Sequence, residues 1–123
     1  MRSSKTKPSR SSSSRPLGPE AERRVRRHYR LRGYRILASN ARAGGYELDV
    51  VVRRGRVVVV AEVKARTGPG FGDPLEAVGP EKSRRVRRAA EAWLALHPEL
   101  AGLDVRLEAV AVRGRRIVRA VID

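Results

Sequence analysis

The chain has 123 residues, which is enough for one domain with a modest core and too short for two. It contains no cysteine, which excludes a disulfide framework, a thiolate zinc site and a cysteine nucleophile. Its formal net charge is +15, and only four of its 28 basic residues are lysine, so the composition favours a nucleic acid as partner first and an anionic membrane surface second.

The N-terminal segment, residues 1–17, differs in composition from the rest of the chain. It holds serine runs, two prolines and five basic residues, with no acid and almost no apolar side chain. Such a segment does not bury enough surface to order itself, so we predict a disordered basic arm followed by one folded domain, residues 18–123. Without the five charges of the arm the net charge is still +10, so the folded domain is itself cationic.

No apolar run approaches the length of a membrane span, and the arm lacks the apolar core of a secretory signal. We therefore expect a protein that does not contact membranes and acts in the cytoplasm in association with the nucleoid.

Residues 19–32 are predicted to form a helix. Pro19 is tolerated in a first turn, acids come early, arginines come late, and Gly33 is a terminator. The apolar stripe contains Val25 and Tyr29, and at about 100° per residue Glu22 falls close to Tyr29. Glu22 is thus the acid that leans towards the core, either as part of a site or as a charge that stabilises the helix N-terminus.

Three strands should follow, at residues 34–38, 48–53 and 57–64, with Arg54-Gly55 as the turn between the last two. The run of valines at residues 57–60 is typical of a central strand that is covered on both faces. Pairing across the turn brings Asp49 close to the end of the central strand.

That strand end carries the most informative pattern of the chain, Glu62-Val63-Lys64. Alternation along a strand points Glu62 and Lys64 to one face and Val63 to the other. With Asp49 opposite, two carboxylates and an ammonium converge, which suits a Mg²⁺ ion held against a phosphodiester. A strand end with a solvated ion pair has the same sequence pattern, and both interpretations stay open at this point.

The second half of the chain predicts a Gly- and Pro-rich loop at residues 67–80, a helix at 81–97, and a hairpin of strands 104–112 and 116–122. The helix has an apolar face, which includes Trp93, and its other faces carry Arg84, Arg87 and Arg88. The predicted order is α-β-β-β-α-β-β. We therefore predict an α/β layered domain in which helices flank a mixed β-sheet.

Several short motifs with matching gaps resemble a known family. They are Gly33-Tyr34-x-Ile36-Leu37-x-x-Asn40, Glu47-Leu48-Asp49, Glu62-Val63-Lys64-x-Arg66, Phe71-Gly72-x-Pro74-x-Glu76-Ala77-Val78, and Lys82. Together they resemble the bacterial YraN family (UPF0102), which is similar to the PD-(D/E)xK nucleases with a restriction-endonuclease-like fold and to archaeal Holliday-junction resolvases. The resemblance runs from about residue 18 to the C-terminus.

The resemblance implies roles for individual residues of this chain. Asp49 and Glu62 would bind Mg²⁺ or Mn²⁺, with the carbonyl of Val63 as a further ligand. Lys64 would orient the attacking water or neutralise charge on the phosphate, and Glu22 would be an outer carboxylate. The residues expected to contact the phosphate backbone are Arg66, Lys82 and, on the same helix, Arg84.

One departure from the family pattern bears on the site. Tyr46 stands where the family usually has the glycine before Glu-Leu-Asp, and a side chain there is expected to narrow the approach to Asp49.

Three hypotheses follow. The first is a Mg²⁺-dependent endonuclease that hydrolyses DNA, including branched DNA, for which a two-fold homodimer would be suitable. The second is a module that binds DNA or RNA, keeps the nuclease fold and cuts nothing. The third is a purely structural network of the acids and lysine, in which case their replacement would reduce stability and not metal binding.

Overall fold

The computed structural model describes residues 17–66 and 74–122. The predicted arm lies outside these residues except for Leu17, with which the first helix begins. The first part of the predicted loop, residues 67–73 with Phe71, also lies outside them.

Residues 17–66 and 74–122 form two helices and five strands in the predicted order α-β-β-β-α-β-β, which is confirmed. We label them α1 (Leu17–Arg30), β1 (Arg35–Ala43), β2 (Tyr46–Arg54), β3 (Val57–Ala65), α2 (Pro80–Ala95), β4 (Asp104–Arg113) and β5 (Arg116–Val121). Short 3₁₀ turns at Pro74–Ala77 and Pro98–Leu100 flank α2.

The five strands form one mixed sheet in the order β1-β2-β3-β4-β5. Neighbouring strands are antiparallel except β3 and β4, which are parallel and are connected through α2. The helices cover opposite faces: α1 packs on Val50, Val52 and Val59, and α2 packs on Val58 and Val60. The valine run is therefore central and buried on both faces, as predicted.

The first hairpin is longer than predicted. β1 continues to Ala43 instead of ending at residue 38, and β2 starts at Tyr46 instead of 48. Gly44 and Gly45 have φ angles of 58° and 76°, so they form the tight turn that needs two left-handed residues. This turn lets the ladder extend to Ala43 opposite Tyr46.

The helix ends also differ from the predicted bounds. Helix α1 begins two residues earlier and its regular part ends at Arg30, where Gly33 (φ 89°) and the bond from the Tyr34 N–H to the Tyr29 carbonyl (3.0 Å) close the helix. Helix α2 ends at Ala95, and His97 leaves it to stack on Trp93 at 3.9 Å between ring centroids.

One acid is buried in the layer between α1 and the sheet. Glu108 is 3% exposed and accepts hydrogen bonds from the Tyr29 hydroxyl (2.6 Å) and from two nitrogens of Arg119 (2.8 and 3.2 Å). Burial raises the pKa of Glu108, but these hydrogen bonds outweigh it and lower the pKa overall. Glu108 is therefore a paired, ionised group that links β4 to α1 and β5.

Candidate functional site

The sheet is interrupted where Asp49 meets the end of β3. The ladder between β2 and β3 runs to Val50 opposite Ala61 and stops there. Beyond this pair, the Asp49 Oδ2 atom accepts a hydrogen bond from the Val63 N–H at 2.8 Å, so a side chain replaces the backbone as partner of β3. The predicted approach of Asp49 to the Glu62-Lys64 strand end is confirmed.

Glu62 is the most buried acid of this cluster, with 6% of its surface exposed. Its Oε2 atom lies 3.1 Å from the Nζ atom of Lys82 on α2 and accepts a hydrogen bond from the Tyr46 hydroxyl at 3.3 Å. Three elements, β2, β3 and α2, thus contribute to one charged cluster on the α2 face of the sheet.

Two ammonium groups lie side by side in this cluster. The side chains of Lys64 and Lys82 are within hydrogen-bonding reach, and the charge of Lys82, followed by burial, lowers the pKa of Lys64. Burial lowers the pKa of Lys82 as well, but the Glu62 carboxylate outweighs it and raises that pKa overall. The carboxylate field thus prevails at Lys82, whereas the neighbouring ammonium prevails at Lys64.

Glu22 reaches the cluster from α1 through Asn40. Asn40 has a φ of 53°, the only positive φ of a non-glycine residue in the described part of the chain. Its side-chain amide donates to the Glu22 Oε1 atom at 3.0 Å. Burial and the charges of Glu47 and Glu62 raise the pKa of Glu22, which places this carboxylate in the field of the cluster.

The electrostatics of Asp49 differ from those of an ordinary surface acid. Burial and the charge of Glu62, followed by Glu22 and Glu47, raise the pKa of Asp49 to about 7, and the hydrogen bond from Val63 only partly offsets this. Clustered acids of this kind are stabilised by a cation between them.

A divalent cation fits the donors of this cluster in one way. Among residues 17–66 and 74–122, no three His, Asp or Glu side chains come close enough to hold a metal between them. A cation would therefore rest on the carboxylates of Asp49 and Glu62. Mg²⁺ characteristically uses one or two protein carboxylates and completes its shell with waters and substrate phosphates.

The other predicted residues lie at varying distances from this cluster. The Val63 side chain packs on the α1 side, as alternation predicted, and its N–H contacts Asp49. Arg66 follows β3 and lies on the α1 side, where its Nε is buried without a hydrogen-bond partner among the described residues. Lys82 is within the cluster itself. Arg84 lies on α2 and is exposed.

Sequence reasoning missed the ion pair between Lys82 and Glu62, and it missed the parts that Tyr46, Asn40 and Glu47 have in the cluster. The departure at Tyr46 was noted, but its hydroxyl bond to Glu62 was not predicted. Asn40 and Glu47 belong to the quoted motifs, yet no role was assigned to them. The signal that was available for Asn40 is its residue type, because asparagine adopts the left-handed conformation more readily than other non-glycine residues.

Comparison with known proteins agrees with the motif pattern. Residues 21–112 match the family described as "Uncharacterised protein family UPF0102". The chain belongs to UPF0102. The matched segment of this UPF0102 chain includes Glu22, Asp49, Glu62, Lys64 and Lys82, and it ends near the end of β4.

Individual UPF0102 relatives align over most of the folded domain. The UPF0102 protein of Methylobacterium nodulans is 44% identical over 106 residues, which are 86% of this chain and 81% of that protein. That of Parvibaculum lavamentivorans is 43% identical over 108 residues, covering 87% and 79%. That of Acidothermus cellulolyticus is 48% identical over 81 residues, covering 66% of this chain and 61% of the relative.

In the described part of this UPF0102 chain, neither helix has the length and apolar character that crossing a membrane requires.

Proposed function

We propose that this protein is an endonuclease that hydrolyses phosphodiesters of DNA, including branched DNA, with Mg²⁺ or Mn²⁺ as cofactor. The observation that carries the proposal is the convergence of Asp49, Glu62, Lys64 and Lys82 at one interrupted strand end. Two acids and two ammonium groups in one half-buried cluster match the needs of a reaction in which a cation and a phosphate are held together.

Each group has a part in this proposal. Asp49 and Glu62 would hold the metal ion, which when bound lowers the pKa of water and neutralises charge on the phosphate. Lys64 and Lys82 would face the negative charge that develops on the phosphate. Glu22, held by Asn40, would act as an outer carboxylate that accepts a hydrogen bond from water. A DNA substrate would place the protein on the nucleoid.

A second function is favoured by one contact. Lys82 and Tyr46 both occupy the Glu62 Oε2 atom, so Glu62 already has a cation and a hydrogen-bond donor from the protein. A module that binds nucleic acid without cutting it would keep this arrangement unchanged. The burial of Asp49 beside Glu62 favours the enzyme, because a binding module gains nothing from acids in a phosphate-binding cleft.

The experiment that separates the two is titration calorimetry with Mg²⁺ and Mn²⁺, paired with cleavage of labelled duplex, single-stranded, flapped and four-way DNA. We compare wild type with Asp49→Asn/Glu62→Gln and with Glu91→Gln/Glu99→Gln, which removes the same charge from exposed positions. We expect metal binding and cleavage in wild type and in the exposed control, and neither in the site variant.

Absence of metal binding and cleavage in all three proteins, with DNA binding retained, would establish the non-catalytic module instead. A site variant that is as active as wild type would reject the assignment of Asp49 and Glu62.

A further inference from the structure

A second basic feature lies on the α1 face of the sheet, away from α2. A groove of about 650 Å³ runs between α1 and the hairpin of β4 and β5. It exists because α1 covers the central strands and leaves β5 partly uncovered. The groove is lined by Arg24, Arg27, His28, Leu31, Arg32, Arg115 and Ile117.

The charge of the groove comes from arginines that are not neutralised within it. Among the residues that the structure describes, no acid lines the groove. The side chains of Arg27 and Arg115 are exposed and make no hydrogen bond or ion pair with another residue of the described ranges. The Arg32 guanidinium donates to the His28 carbonyl (3.0 Å), and the Arg24 guanidinium donates to Glu20 (2.9 Å) and to the Gly114 carbonyl (2.6 Å).

The other residues that line the groove, His28, Leu31 and Ile117, are uncharged or apolar. Leu31 is 70% exposed, and Ile117 packs against the α1 layer. Burial, followed by the charges of Arg32 and Arg119, lowers the pKa of His28 to about 4, so its ring is neutral at physiological pH. The groove therefore combines guanidinium groups with uncharged side chains.

The groove adjoins the end of β3, the strand that also carries Glu62 and Lys64. Arg24 also lines a small recess with Ala65 and Arg66, which directly follow Lys64. Basic side chains thus continue from the end of β3 to Arg32 beyond the end of α1. From Arg24 to the end of α1 at Arg30 the helix axis rises about 9 Å, which is the axial length of roughly two to three nucleotides of one strand.

We propose that this groove binds the sugar–phosphate backbone of nucleic acid, as a second contact for the stretch that flanks the phosphodiester held at Asp49 and Glu62. The inference rests on the proposed function. Guanidinium groups match phosphate oxygens bidentately. An anionic membrane fits less well, because Leu31 and Ile117 are too small an apolar surface to insert into lipid.

The test measures binding of a fluorescein-labelled DNA duplex by anisotropy at several salt concentrations. The variant is Arg27→Ala/Arg115→Ala, and the matched control is Arg35→Ala/Arg56→Ala, which removes the same charge near the opposite end of the sheet. Unfolding curves establish that both variants fold. We expect the groove variant to bind about tenfold more weakly, with a slope of log K against log salt that is shallower by about two, and the control to change by less than about threefold.

Equal weakening in both variants would overturn the inference, because only total charge would then matter. Unchanged DNA binding in the groove variant would also overturn it. The inference would also be overturned if the groove variant lost binding to vesicles of phosphatidylcholine and phosphatidylserine but kept its DNA binding. That result would identify the groove as a membrane-binding surface. The two proposals fail separately. If wild type does not cleave DNA and the groove variant still binds DNA more weakly than wild type, only the nuclease proposal is rejected. If wild type binds no DNA, both proposals are rejected.

Discussion

The pKa values of Asp49 and Glu108 are shifted in opposite directions by their surroundings. Glu108 receives three hydrogen bonds from Tyr29 and Arg119, and its pKa is lowered. Asp49 receives one hydrogen bond from the Val63 N–H and lies beside other acids, and its pKa is raised to about 7. An acid that the fold stabilises is a structural group, whereas an acid kept in an unfavourable field is typical of a functional site.

Replacing Asp49 by Asn should therefore stabilise the metal-free protein at pH 8. The folded protein holds the Asp49 proton up to about pH 7 and the unfolded chain releases it near 3.8, so folding takes up a proton between these values. Stability then rises as pH falls from 7 towards 4, and ionised Asp49 destabilises the fold above pH 7. We expect a gain on the order of 1–2 kcal/mol at pH 8, allowing for solvent screening.

The measurement is urea denaturation of wild type and Asp49→Asn at pH 5 and pH 8. The difference should be small at pH 5, where Asp49 is protonated and resembles Asn. A variant that is less stable than wild type at pH 8 would contradict the prediction and support the structural network.

Replacing Lys82 by Ala tests the ion pair between Lys82 and Glu62. Glu62 would lose its buried ion-pair partner, which we expect to destabilise the protein by about 1–3 kcal/mol. Millimolar Mg²⁺ should restore part of this loss, because the freed carboxylate would then bind the metal without competition. The melting temperature of Lys82→Ala should thus rise more with Mg²⁺ than that of wild type.

The control for this experiment is Arg85→Ala, which breaks an exposed ion pair with Glu81 and should change neither stability nor the effect of Mg²⁺. Equal effects of Mg²⁺ on Lys82→Ala and wild type would exclude Glu62 as a ligand.

The hairpin of β1 and β2 is the element that joins the two layers at the site. Asn40 on β1 contacts Glu22 of α1 on one side, and the turn at Gly44 touches α2 on the other. A Cβ atom at Gly44 would lie 3.2 Å from the Ala89 Cα and 3.2 Å from the Arg88 carbonyl oxygen. The glycine at this position thus permits both a left-handed backbone and close packing of α2.

Gly44→Ala should destabilise the protein by about 2–4 kcal/mol, because left-handed strain and a backbone clash with α2 add together. Gly45→Ala is the matched control, since Gly45 has a φ of 76° and open space around its Cβ position. Gly45→Ala should destabilise the protein by only about 1–2 kcal/mol, the cost of the left-handed backbone alone. Denaturation midpoints of the two variants measure the difference, and equal losses would show that contact with α2 is unimportant.

At the scale of the whole molecule, basic side chains lie on both faces of the sheet and approach each other at the end of β3. The α2 side carries the carboxylate cluster with Lys82 and the exposed arginines of that helix, and the α1 side carries the groove. The Glu108 network fixes the geometry of the α1 side, because Arg119 from β5 also lies over the ring of Tyr29 at 4.7 Å.

Replacing Arg119 by Met should reduce the free energy of unfolding by about 3–5 kcal/mol, because the buried Glu108 would keep only the longer ion pair with Arg106 (3.8 Å). The double variant Glu108→Leu/Arg119→Met should recover a large part of the loss, since no unpaired charge remains. A double-mutant cycle by chemical denaturation measures the coupling. Additive losses would contradict the assignment of a coupled pair.

Much of the architecture could be predicted from the sequence because it depends on local patterns. Turn glycines and the valine run define β3 and its hairpin, and alternation along the strand places Glu62 and Lys64 on one face. Strand β1 was underestimated because its alternation is weak and its bulge near Leu37 shifts the register, so only the paired structure shows that it reaches Ala43.

The sequence by itself determined the order of elements and the meeting of Asp49 with the end of β3, because a short hairpin leaves few alternatives for the pairing of its strands. Only the tertiary structure decided which partner each charge takes: Lys82 for Glu62, Asn40 for Glu22, and Arg119 for Glu108. The groove beside α1 was likewise decided only by the tertiary structure. These contacts join residues of different layers, and their distances depend on how the helices pack on the sheet, which no local pattern specifies.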